Sequence, residues 1–375
     1  MDISEEILHR LKDGGVDFFT TYPCAKIQRL YNLIHDQFLS IGVTKEEEGV
    51  GICAGASLVG ANSAMLIQST GFGNMLNALC SLTITYKLPL LILASWRGVY
   101  QETIPAQIPL GENLPALFKA IGFPYQIVKN QKDLGKVTAA INKTYQESTL
   151  QVLLLSPQLW GEIRSIEISP KPTTRRESKS LPNLPQLSPG LLTRFDILKA
   201  MIQFLDKKLI ISNIGLPSRE LFHLYHQDTN FYMLGSLGLV SSIGLGVALH
   251  SSKQVVVIDG DGSLLSNLGS LATIAQAAPK NLTILAIDNG VHGSTGNQMT
   301  STSTCVDLAK TAHGLGIRHV FRGYTLEEIQ TIVTNLTSGP NFVHIPAQPG
   351  NAQVPTIPLT PHEIKELFMQ AVQSS

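Results

Sequence analysis

The sequence predicts an α/β fold of two related domains, each a parallel sheet flanked by helices. Three observations predict it. Short apolar runs alternate with amphipathic helical patterns through both halves, the signature of buried parallel strands covered by helices. A Pro-rich stretch separates the halves. A buried strand running into Gly-x-Gly and a Leu-rich helix occurs once in each half.

The elements follow in chain order. Ile3, Ile7, Leu8 and Leu11 recur at helical spacing, Asp2 with Glu5 forms a capping-box pattern, and Gly14-Gly15 stops the helix before the strand-like Val16 to Thr20. Further strands are expected at Ala64 to Gln68, Leu88 to Ala94 and Val152 to Leu155. From Ser156 to Gly190 six prolines surround the basic cluster Lys171, Arg175, Arg176 and Lys179, which reads as an exposed linker. Beyond it Phe195, Leu198, Met201, Ile202 and Leu205 form another amphipathic helix before the strand Leu209 to Ile211. Residues 1–160 and 190–375 are therefore taken as domains, and 161–189 as the linker between them.

The two halves share more than order. Ala64 to Gln68 before Gly71-Phe72-Gly73 parallels Val255 to Asp259 before Gly260-Asp261-Gly262, and the glycines stand 189 positions apart. The same offset relates Gly49 to Gly238 and Gly55 to Gly244, so an internal repeat is expected in that register.

Composition narrows the function. With 375 residues the chain exceeds one ordinary core. Only 15% of residues are charged against 43% hydrophobic, which argues against disorder. Lys plus Arg and Asp plus Glu balance at 28 each, so no net field draws the chain to nucleic acid or an anionic membrane. The cysteines Cys24, Cys53, Cys80 and Cys305 lack metal-ligand spacing and read as reduced thiols of a cytoplasmic protein. The acidic N-terminus does not look like a signal peptide, and no apolar run approaches the roughly 20 residues of a membrane span.

Asp261 is the first chemistry-bearing residue, a carboxylate at the end of a buried strand on a glycine-flanked turn. Ligands of open α/β sheets bind at such ends. Glycines let a bulky anion approach, and the carboxylate can hold Mg²⁺ against it. A second oxygen ligand, Asn289, lies 28 residues on, at the tip of the next strand. In the first half, Glu46-Glu47-Glu48 opens a small-residue helix, where acidic residues also serve as caps. A dinucleotide-binding oxidoreductase is disfavoured because Gly-x-Gly-x-x-Gly is missing after both strands, Leu76 and Leu265 standing at its last position.

Gly260-Asp261-Gly262-Ser263, followed by Asp288-Asn289-Gly290, resembles the cofactor motif of thiamine-diphosphate enzymes. That resemblance implies thiamine diphosphate and Mg²⁺ as cofactors, with Asp261, Asn289 and the main-chain oxygen of Val291 on the metal. Many members have Asn-Asn where this chain has Asp288-Asn289. Leu234-Gly235-Ser236-Leu237-Gly238 is similar to the segment that holds the aminopyrimidine, which implies a Gly235 carbonyl contact and Leu237 as the apolar wedge under the cofactor. A glutamate bonding the pyrimidine is implied in the first domain, and the family's Glu-x-Gly pattern selects Glu47. Such a group should titrate above its usual 4.3 if buried. The two domains then take the pyrimidine-binding and diphosphate-binding roles.

More narrowly, Glu46 to Ala56, Ile67 to Asn74, Ile104 to Gly111 and Asn289 to Gly296 resemble decarboxylases of sulfopyruvate, whose relatives act on phosphonopyruvate and share an aromatic-Arg-Gly segment like Trp96-Arg97-Gly98. This implies CO₂ release from a small anionic 2-oxo acid, 3-sulfopyruvate giving sulfoacetaldehyde as in coenzyme M-type sulfonate metabolism. It also implies a homo-oligomer, dimer or tetramer, with active sites at subunit interfaces and no nucleic-acid or membrane partner. Arg97 leads as sulfonate anchor, with Lys26, Asn74 and Gln107 behind it; Arg97 as a surface ion pair and Gln107 as a loop hydrogen bond stay open. His292 reads as a solvated loop histidine. An acyl-transferring thiamine enzyme is the competing class.

Overall fold

The computed structural model describes residues 2–160 and 182–374. The chain divides into two compact units, residues 1–176 and 177–375. The basic cluster and most of the expected linker, 161–181, lie outside the described residues. Its end, 182–189, is tied to the second unit: Arg322 Nη1 donates to the Pro185 carbonyl and Tyr324 Oη to that of Gln186, both at 2.7 Å.

The first unit opens with the helix Ile3–Asp13, which carries the Asp2/Glu5 capping box and buries Ile7, Leu8 and Leu11. Its sheet comprises β1 (Phe18–Thr21), β2 (Leu39–Gly42), β3 (Ser63–Gln68), β4 (Leu90–Ser95), β5 (Tyr125–Val128) and β6 (Leu150–Leu155). All pairings are parallel, in the order β2-β1-β3-β4-β6-β5. Every residue of β4 and β6 is buried, as a strand covered on both faces requires.

The second unit begins with a helix that breaks at Met201, between Arg194–Ala200 and Ile202–Leu205. Its strands are β7 (Leu209–Ser212), β8 (Asn230–Tyr232), β9 (Val255–Gly260), β10 (Leu282–Asp288), the short β11 (Val291–His292) and β12 (Gln298–Met299), then β13 (His319–Arg322) and β14 (Asn341–Pro346). The main sheet runs β8-β7-β9-β10-β14-β13, again all parallel. Setting aside the antiparallel β11-β12 hairpin, this is the topology of the first unit repeated strand for strand.

The repeat is real, but its register differs from the glycine offset. The paired strands β3 and β9 begin at Ser63 and Val255, and β4 and β10 begin at Leu90 and Leu282, so equivalent strand starts stand 192 apart. Ser69, not Phe72, is thus the counterpart of Asp261, and Arg97 that of Asn289. Gly98 and Gly290 fall together and both are left-handed, at φ 81° and 70°. The cause is a three-residue turn, Ser69–Gly71, inserted between β3 and the helix Phe72–Ala78, whereas the helix Asp261–Ser266 starts directly after β9. Gly49 likewise matches Gly244 instead of Gly238. A Cβ on Gly49 would meet Met65 Cε at 2.7 Å, and one on Gly244 would meet Val257 Cγ2 at 2.1 Å. Met65 and Val257 are themselves 192 apart. Gly238 lies ahead of its helix at φ 92°.

Candidate active site

In the second unit, the carboxyl ends of β7, β9 and β10 open onto a cavity of about 400 Å³. Asp261, Asn289 and Val291 line it, with Gly260, Gly262, Ser263, Leu237 and His292. β9 and β10 pair up to Gly260 opposite Ile287, so the strand tips deliver Asp261 and Asn289 side by side.

The Asp261 carboxylate is buried. Burial raises its pKa, against the Thr300 hydroxyl that donates to its Oδ2 at 2.5 Å, and the nearby Asp288 charge raises it further. Asp259, fully buried below it, is pushed up to about 6 by desolvation, although Ser241 Oγ at 2.7 Å and the Gly260 N–H at 2.8 Å donate to it. Two acidic groups therefore sit in a region of low polarity with only neutral donors on Asp261. Among the described residues no three His, Cys, Asp or Glu side chains gather as a metal site. A mixed set of carboxylate, amide oxygen and main-chain carbonyl remains, which fits a small hard cation that keeps phosphate and water among its ligands.

The segment Leu234 to Gly238 is shaped for contact with a ligand. Ser236, 3% exposed, adopts φ 60°, a conformation that costs a non-glycine residue on the order of 1–3 kcal/mol. Leu237 by contrast is 46% exposed although it lines the cavity, as an apolar wedge would be. His292 is not a solvated loop residue: it is half-buried, and a Cβ on Gly262 would fall 2.4 Å from its Cε1. The second glycine of Gly260-Asp261-Gly262 is therefore needed by a neighbouring ring.

The hairpin β11-β12 was not legible in the sequence. Its strands of two residues are too short to show a period, and only the glycines Gly293 and Gly296 hint at a turn. It returns Thr300 and Thr302 to the Asp261 tip, where the Thr300 N–H donates to the Gly290 carbonyl at 2.9 Å.

In the first unit the three acidic residues part company on the helix Glu46–Leu58. Glu47 pairs with Lys45 at 2.8 Å, its side chain 17% exposed. Glu48 is buried but turns back to cap Thr44, accepting its N–H and hydroxyl at 2.8 and 2.7 Å. Glu46 is buried, with its carboxyl group lying over Gly71, where a Cβ would meet Oε1 at 2.6 Å. Asn74 Nδ2 donates to Glu46 Oε2 at 2.8 Å. The buried acid at the strand end is therefore Glu46, whereas Glu47 stands about 100° further round the helix, on its more open side.

Arg97 is neither a surface pair nor a free anchor. It is 5% exposed and grips Glu102 by Nε and Nη2 at 2.7 and 2.9 Å, a buried bidentate pair. The Arg97 guanidinium, ahead of main-chain N–H groups, holds Glu102 down to about 2. Only Nη1 points elsewhere, 3.9 Å from Cys24 Sγ. The Arg97 N–H donates to Ser69 Oγ at 2.9 Å. Lys26, half-buried, makes no hydrogen bond or ion pair among the described residues, and the Gln107 amide oxygen is buried without a partner among them.

Comparisons with known proteins agree with this architecture. Residues 1–115 match the family "Thiamine pyrophosphate enzyme, N-terminal TPP binding domain", and residues 214–345 match "Thiamine pyrophosphate enzyme, C-terminal TPP binding domain". The chain is 40% identical to a sulfopyruvate decarboxylase of Methanosarcina acetivorans, over 98% of this chain and 97% of that one. It is 32% identical to a phosphonopyruvate decarboxylase of Streptomyces hygroscopicus, over 98% and 93%. In Methanococcus maripaludis the similarity is divided between two chains. The beta subunit of sulfopyruvate decarboxylase is 45% identical over 48% of this chain, and the alpha subunit 37% over 43%, each over 98% of its own length. The structure of a thiamine diphosphate-dependent 4-hydroxybenzoylformate decarboxylase from Rhodococcus jostii RHA1 shares the fold at a TM-score of 0.71 and 13% identity, covering 94% of this chain and all of that one.

Proposed function

The chain belongs to the thiamine pyrophosphate enzymes, and on that premise we propose that it decarboxylates 3-sulfopyruvate to sulfoacetaldehyde and CO₂. The observation that carries the reading is the 40% identity to a sulfopyruvate decarboxylase, which extends across both units and 98% of this chain. Phosphonopyruvate is the runner-up substrate, since a decarboxylase of that acid matches nearly as much of the chain at 32%.

Bound thiamine diphosphate supplies the nucleophilic carbon and the electron sink that allow CO₂ to leave. The protein's part is to hold and orient. We assign Asp261, Asn289 and the Val291 carbonyl to Mg²⁺, Gly260, Gly262 and Ser263 to the diphosphate, and Gly235, Ser236 and Leu237 to the aminopyrimidine. Glu46, buried over Gly71, is the acid that we assign to the pyrimidine nitrogen in place of Glu47. The substrate carries two anionic groups, and binding both without overstabilising the carboxylate favours its loss. Lys26, whose ammonium makes no hydrogen bond or ion pair among the described residues, suits the sulfonate better than Arg97, whose fork is occupied by Glu102. Asn74 and Gln107 remain polar groups of the same unit available to the substrate.

Relatives built as separate alpha and beta subunits support an assembly in which first and second units of different chains form each site, hence a homo-oligomer of this chain. Among the described residues no helix is long and apolar enough to cross a membrane, and all four cysteines are free; we place the protein in the cytoplasm. CO₂ release from sulfopyruvate, phosphonopyruvate and pyruvate, with and without thiamine diphosphate and Mg²⁺, tests the reading. Cofactor-dependent release fastest from sulfopyruvate is expected. Turnover without cofactor, or a condensed product in place of the aldehyde, overturns it.

A further inference from the structure

Behind the tips of β10 and β14 runs a buried polar chain that the cofactor assignment leaves unused. His344, on β14, is fully buried. Its Nδ1 faces Arg322 Nε at 3.1 Å and its Nε2 faces Asp288 Oδ2 at 2.9 Å. A guanidinium has only hydrogens to offer, so Nδ1 accepts, and the ring N–H lies on Nε2, aimed at Asp288. Arg322 is fixed in turn by the Asp307 carboxylate and the Pro185 carbonyl. The histidine therefore cannot rotate without breaking bonds at both ends.

Asp288 matters because of what stands beyond it. Its Oδ1 accepts from the Gly290 N–H at 3.1 Å and from Thr302 Oγ1 at 2.7 Å. The same Thr302 hydroxyl is 3.4 Å from Asp261 Oδ2, so two carboxylates lie on either side of one hydroxyl group. Its single hydrogen serves the nearer one. Asp261 is left to Thr300. A second carboxylate free to swing toward Asp261 would double the negative charge facing an anionic diphosphate.

We infer that His344 is a positioning residue that holds the Asp288 carboxylate turned away from the Asp261–Asn289 tip, so that the tip presents one carboxylate and one amide oxygen. With Asp288 held, the Gly290 N–H stays bound to it and the turn carrying Asn289 and Val291 keeps its shape. The inference rests on Asp261 and Asn289 being the metal anchor.

Calorimetric titration of the full-length apoprotein with thiamine diphosphate in excess Mg²⁺ tests it, with circular dichroism to confirm folding. His344→Leu removes both bonds at similar bulk and is expected to weaken cofactor binding by about 10–100-fold. His344→Gln can still donate to Asp288 and accept from Arg322, and should stay within about 3-fold of the native protein. Adding Asp288→Asn to His344→Leu removes the charge that needs holding and should restore binding. Native affinity in His344→Leu, equal weakening in the Leu and Gln variants, or no rescue by Asp288→Asn overturns the inference. Should His344→Leu fail to fold, Asp288→Asn alone decides: a loss beyond about 10-fold means that the charge is used at the tip, not held away from it. Asp261→Ala separates the two readings. If it keeps Mg²⁺-dependent cofactor binding, the metal-anchor assignment fails; if it loses binding while His344→Leu does not, only the present inference fails.

Discussion

Three glutamates in a row on one helix point in three directions, and their surroundings decide which can act. Glu46 faces the buried end of β3, Glu48 caps its own helix, and Glu47 leans on Lys45. Glu46→Gln is expected to lower kcat at least about 100-fold while cofactor affinity stays near native. Glu47→Gln should stay within a few-fold; the reverse order in steady-state rates would return the role to Glu47. The Arg97–Glu102 pair makes a second residue-scale prediction. Glu102 ordinarily titrates near 4.5 and here near 2, so its contribution to stability is present above 4.5 and is lost as pH falls through about 2. Glu102→Gln leaves a buried guanidinium unpaired and should cost about 3–5 kcal/mol at pH 7. Urea unfolding at pH 7 and pH 2.5 checks this, since the difference between native and variant must shrink at the lower pH.

At the scale of elements, helix and sheet meet through glycines. Gly244 lets the helix Val240–His250 lie on Val257, a branched side chain fixed on a central strand. Gly49 does the same over Met65, where the near atom is the end of a flexible chain, although Thr20 Oγ1 is also close at 2.9 Å. Gly244→Ala should therefore destabilise more than Gly49→Ala, by about 1–3 kcal/mol or above for the former, as measured by thermal melting. Strand positions and the repeat were readable because buried parallel strands leave apolar runs and chain order preserves them. The register was not, because a three-residue turn after β3 shifts the glycines without moving the sheet. Asp261 and Asn289 were readable as polar residues ending apolar strands. The choice of Glu46, the engagement of Arg97 by Glu102, and the Asp288–His344–Arg322 chain depend on side-chain directions and on contacts distant in sequence, which no spacing encodes.

The molecule as a whole is two copies of one topology that have diverged at their strand tips. Each unit has its own sheet and core, and relatives exist with the halves as separate subunits. Cutting the gene between residues 176 and 177 and producing both halves together should preserve cofactor-dependent decarboxylation, with either half alone inactive. Absence of activity from co-produced, folded halves would show that covalent linkage is required. The divergence also leads to an expected count. Where the second unit sets Asp261 and Asn289, the first sets Ser69 and Arg97, a hydroxyl and a built-in cation held by Glu102. That unit sets a positive charge where the second has Asn289, and a hydroxyl where the second has the Asp261 carboxylate. The repeated scaffold thus carries different side chains at its two sets of strand tips, and titration to saturation should give a stoichiometry of one Mg²⁺ and one thiamine diphosphate per chain.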